Sequence, residues 1–270
     1  MSANGRTQEE DTPLRNQVQR HRIYDYSRVL CFAECNGDLY MAARITTGDD
    51  WKPVDGGLYR RVDGPKPSWQ LVYRWPVAEN VPQSRFLRGL TAVPDPRASG
   101  RQVLLAAFEY PGIIVRIDPG KDVIAPEQEL DIKEFFNQAW NTPTARRRGA
   151  IAAYNRFLPV TDPDTGEKAH LLGLWINHPD RRATENGASA WCLVRHADGT
   201  YGHGRVFDPK HPKPNPPRGL LATRTIEVSP FPEDKGRVLY FGGFDCANIE
   251  SHNTAWIYKG TLSAPEKDKP

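Results

Sequence analysis

Short apolar runs, each bounded by turn residues, recur along the chain about every 66 residues. Four of them align: Asp38-Leu39-Tyr40-Met41-Ala42-Ala43, Val103-Leu104-Leu105-Ala106-Ala107-Phe108, Leu171-Leu172-Gly173-Leu174-Trp175-Ile176 and Leu239-Tyr240-Phe241-Gly242-Gly243-Phe244. Runs of this kind read as buried strands. With Leu39, Leu104, Leu172 and Tyr240 taken as counterparts, the neighbourhoods repeat as well. An earlier strand is predicted in each unit at residues 29–33, 90–93, 150–154 and 225–228. A later one follows at 58–61, 113–117, 190–195 and 254–259. Fourth strands are predicted at 69–75 and 201–207, and less distinctly around 127–136. There Ile132, Phe135, Phe136 and Trp140 have the spacing of a short helix.

Four strands per unit predicts an all-β chain, a β-propeller of four visible four-stranded blades, with five as the alternative. A β-sandwich is the rival, but it does not require a regular four-strand period. The last unit stops after its third strand. The run Arg22-Ile23-Tyr24-Asp25-Tyr26 is expected to supply the missing strand, closing the ring and removing its edges. This makes residues 21–262 one domain between polar tails at 1–20 and 263–270.

Composition supports that picture. The 24 prolines and 22 glycines suit strands and turns better than helices. A net charge of +3 is too balanced for an electrostatically driven nucleic-acid binder. No apolar run is long enough to cross a membrane, and no leader is visible, so the expectation is a soluble cytoplasmic protein, or a secreted one if the chain is a processed or truncated fragment. Four cysteines, at 31, 35, 192 and 246, lack paired spacing and are expected to be reduced and unrelated. Oligomeric state is not legible.

The repeat resembles the propeller superfold broadly. The stretch Arg61-Val62-Asp63-Gly64-Pro65-Lys66-Pro67-Ser68-Trp69 resembles a degenerate Asp-box turn of the sialidase-like propellers, where the box is structural.

In an antiparallel blade the end of the second strand and the start of the first share one rim. Two rows are expected there: Arg44, Glu109, Asn177 and Asp245, and Arg28, Arg88, Arg148 and Arg224. Arg218 is an alternative to Arg224 in the second row. The arginines either brace blades or bind a substrate's charge. In the varied row, Glu109, Asn177 and Asp245 are oxygen donors suited to Ca²⁺ or another hard divalent cation. An acid–amide–acid set is similar to the metal site of the gluconolactonase-type propellers, a six-bladed family whose flanking motifs this chain lacks. That resemblance implies a cation that polarises an ester carbonyl, with Asp245 or Glu109 as general base. His178 and His252 follow second strands and could serve at the same rim, His252 as acid or base.

Other motifs are absent from the sequence. There is no phosphate-binding Gly-Lys loop, dinucleotide glycine fingerprint or nucleophile elbow, so neither nucleotide nor flavin is expected. The expected function is a small-molecule enzyme, a metal-assisted hydrolase or lyase on an anionic, lactone or carbohydrate-like substrate. The alternative is a non-catalytic propeller binding a glycan or a protein partner, with Trp51 and Trp175 available to a sugar.

Overall fold

The computed structural model describes residues 28–46, 53–76, 87–108, 112–139, 151–152, 157–175, 191–205, 222–244 and 255–261. They form four antiparallel sheets in chain order, a propeller-like arrangement. The first sheet is β1 (Arg28–Cys35), β2 (Asp38–Thr46), β3 (Pro53–Val62) and β4 (Ser68–Pro76). The second is β5 (Leu87–Pro94), β6 (Gln102–Phe108), β7 (Ile113–Ile117) and β8 (Glu127–Asp131). Directly after β8 comes helix α1 (Ile132–Ala139), so both readings of that stretch hold, one after the other. Asp131 caps α1 through its Oδ1 on the Glu134 N–H, and Ile132 and Phe136 bury its apolar side.

In the third sheet the innermost strand is split. β9 (Ile151–Ala152) pairs with the far end of β11 (Lys168–Trp175), and β10 (Leu158–Thr161) pairs with its near end. The sequence reading placed one strand at 150–154 and missed β10, because Pro159 and Asp162-Pro163 look like turn. An edge strand accepts a proline, since its N–H has no ladder partner to lose. β12 (Trp191–His196) and β13 (Tyr201–Arg205) complete this sheet. The fourth sheet has β14 (Ala222–Val228), β15 (Val238–Phe244) and β16 (Ala255–Thr261) among the described residues. The closing strand expected at Arg22–Tyr26 lies outside them.

Each sheet packs its face on the next. Leu104 and Ala106 face the first sheet, alongside Tyr40 and Ala42. Leu105 and Ala107 face the third, against Leu172 and Leu174. Leu171 meets Leu239 and Phe241 of the fourth sheet. A strand buried on both faces has no polar alternation, which is why β6 reads as an apolar run after Gln102 and β7 as one interrupted only by Arg116. Hydrogen bonds reproduce the period. Asn36 bonds Gln102, Phe157 bonds Thr91 and Arg195 bonds Glu129, each pair 66 residues apart and each joining adjacent sheets. At Asn36-Gly37 both residues have positive φ (52° and 88°), the geometry a two-residue hairpin demands. The Asp63–Trp69 stretch forms the β3–β4 hairpin; Trp69 is buried and packs on Phe32. Among the described residues no helix is long and apolar enough to cross a membrane.

Candidate functional site

The two rims of the sheets differ in construction. At one rim lie the connections β1–β2, β3–β4, β5–β6, β7–β8, β10–β11, β12–β13 and β14–β15, each of nine residues or fewer. At the other rim the strands lead into segments 47–52, 77–86, 109–111, 176–190, 206–221 and 245–254, which lie outside the described residues and carry His178, His211 and His252. Long connections on a rigid scaffold are where binding groups concentrate. Of the residues singled out from the sequence, the described ones, Arg28, Arg44, Arg88 and Arg224, stand at strand ends on this second rim.

Strand register refines the two rows. By the face each residue presents, Leu104, Leu172 and Leu239 are counterparts, so the fourth unit's counterpart is Leu239, one residue before Tyr240. On that register Phe244 is the fourth counterpart of Arg44 and Glu109, and Asp245 stands one position beyond. Arg44 pairs directly with Arg28 across β1 and β2. The register also slips at one residue in three inner strands: between Val29 and Cys31, between Leu87 and Gly89, and between Thr223 and Thr225. The extra residues are Leu30, Arg88 and Arg224. Arg88 and Arg224 are therefore true counterparts, preferred over Arg218, while in the first sheet the position belongs to Leu30 and not to Arg28. Glu109, Arg148, Asn177, His178, Asp245 and His252 lie outside the described residues. Among the described residues no group of three or more His, Cys, Asp or Glu side chains is arranged to hold a metal.

The short-connection rim is tied by ion pairs that the sequence reading did not anticipate. Arg116 and Asp95 form a pair at 2.7 Å with side chains only 6% and 4% exposed. Burial raises the Asp95 carboxyl, but the Arg97 backbone N–H and the Arg116 guanidinium together hold it below its usual range. Arg195, fully buried, donates from Nε to Glu129 Oε1 at 2.8 Å, and the Tyr201 hydroxyl bonds the same oxygen. Burial is the main reason the Tyr201 phenol is pushed far up, so it stays protonated. Arg237 grips both oxygens of Asp164 at 3.1 and 2.7 Å, joining the third and fourth sheets. The only hint of the first two pairs was a lone arginine inside Ile113-Ile114-Val115-Arg116-Ile117 and another after Leu193-Val194. A charge in a doubly buried strand has to find a partner.

Cys31, Cys35 and Cys192 are free thiols. Burial pushes Cys31 and Cys35 up to about 12 and Cys192 up to about 11. Thiolate is the reactive form, so these three should resist alkylation in the native protein at pH 8 and react on denaturation. Mass spectrometry after iodoacetamide checks this.

The fold and the rim asymmetry together define a propeller-like repeat protein with one plain, braced rim and one elaborated rim. Comparison of the chain with protein-family models, curated proteins and solved structures gives no match.

Proposed function

We propose that the chain is a four-bladed propeller, closed by the strand at residues 22–26, that acts on a small molecule at its long-connection rim. The reaction is a metal-assisted hydrolysis or elimination on an anionic, lactone or carbohydrate-like substrate. The observation that carries this reading is the pair of matched one-residue bulges at Arg88 and Arg224, both at the rim ends of inner strands. Bulges gather beside active sites, where the extra residue is freed from the ladder to serve a ligand. Glu109 and Asn177, which follow β6 and β11 at that rim, would hold a Ca²⁺ or similar ion with Asp245. Such an ion supplies polarisation of a carbonyl oxygen. Arg88, Arg224, Arg148 and Arg44 would hold the substrate's negative charge, with His178 beside them. His252, Asp245 or Glu109 would move the proton.

The position of Asp245, one residue beyond the Arg44–Glu109 row, favours a second reading: a rim that binds a glycan or a protein partner without turning it over. A screen of aldonolactones, sugar-acid esters and uronic-acid glycans separates the two. The enzyme reading expects turnover that is stopped by chelator and restored by Ca²⁺ or Mg²⁺. Saturable binding without turnover selects the second reading, and the absence of both turnover and binding would rule out a small-molecule function at this rim.

A further inference from the structure

We infer that a second small-molecule site, for a monoanionic carboxylic acid with a short apolar body, lies at the opposite, short-connection rim between the second and third sheets. A cleft of about 360 Å³ opens there, within the range of small-ligand pockets. Pro94 forms its wall on the second sheet, and Pro159, Val160 and Ala169 line it from the third. Its polar groups are Thr161, Lys168, His170 and Arg195, and among the described residues no acidic one lines it.

Among the described residues, Lys168 is the one lining cation without an ion pair. Arg195 is committed through Nε to Glu129, whose carboxylate neutralises it from behind the wall. Lys168 is exposed at the mouth and supplies the net charge. His170 lies between Pro159 and Arg195 in register, on the face turned to the second sheet. Its Nδ1 is sealed from solvent and has no hydrogen-bond partner among the described residues. Buried polar atoms are almost always paired, and an orphaned lone pair is tolerated more readily than an orphaned N–H. The proton therefore belongs on Nε2, which makes that nitrogen a donor for a ligand. Burial, and then the Arg195 charge, lower the His170 basicity and keep the ring neutral beside the two cations. An ammonium, an imidazole N–H and a hydroxyl, all able to donate, suit a single carboxylate, and the proline and valine surfaces suit a short hydrocarbon chain.

The test is an NMR titration of the full chain with sodium butyrate, followed at the His170 ring and the Lys168 side chain. Butyramide serves as the neutral isostere and acetate as the truncated acid. The proposal expects saturable shifts at both residues with butyrate, several-fold weaker binding of acetate, and none of butyramide. Lys168→Gln, an exposed change that spares the core, should weaken butyrate at least tenfold. Absence of a saturable response overturns the proposal. So do an equal response to butyramide, equal binding of acetate, or unchanged affinity in Lys168→Gln.

Discussion

Arg116→Met should destabilise the fold by about 3–5 kcal/mol, the usual loss when one member of a buried ion pair is removed. Arg116 reaches Asp95 at 2.7 Å inside the packing between the second and third sheets, and neither side chain meets bulk water to any extent. Without the guanidinium, Asp95 keeps, among the described residues, the Arg97 N–H and the more distant Arg97 charge, and it loses its ion-pair partner. Replacing both residues, Asp95→Leu with Arg116→Met, should recover much of the loss, because an apolar pair of similar volume is often tolerated in place of ions. Urea melts of the two single variants and the double variant give the coupling directly.

The same pair sets an acid limit. The Asp95 carboxyl is depressed in the folded state, so its contribution is fully present above the unfolded value of about 3.9. It is lost as the pH falls through the lower folded value. Wild-type stability should therefore drop below about pH 4 more steeply than that of the double variant. Parallel curves for the two proteins would show that other groups govern the acid transition.

Glu109→Gln is expected to lower turnover by two orders of magnitude or more if the elaborated rim is catalytic, since it removes a ligand charge and a proton acceptor together. General-base catalysis alone contributes about 10²–10⁴-fold. Glu109 follows the last residue of β6, beyond the Leu87–Phe108 pair, so the exchange leaves the ladder untouched. The melting temperature without metal should stay within a degree or two of wild type. A variant with full turnover would remove Glu109 from the mechanism.

The repeat was legible because burial on both faces writes apolar runs into the sequence, as in Val103-Leu104-Leu105-Ala106-Ala107-Phe108. What such runs do not carry is parity. In Val238-Leu239-Tyr240-Phe241 every position is apolar or aromatic, so the one-residue offset between Leu239 and Tyr240 emerges only from cross-strand pairing. β10 stayed hidden because Pro159 suppresses a strand reading, although it sits at an edge that needs no N–H. The buried pairs were half legible. Arg116 stands out within its apolar strand, but its partner lies 21 residues away, and Glu129 lies 66 from Arg195. Local pattern cannot name such partners; the stacking of sheets does. Among the proposed site residues, register supports Arg88 and Arg224 as a matched pair and moves Asp245 one step from its row. These results come from bulge positions and strand facing, which residue type alone does not reveal.

The most direct measurement is the divalent metal content of the purified full chain, with melting curves before and after chelation. Enzyme chemistry at the elaborated rim predicts one ion per chain, a melting temperature that falls on chelation and recovers with Ca²⁺ or Mg²⁺, and loss of the ion in Glu109→Gln. A metal-free protein with superimposable curves would contradict it.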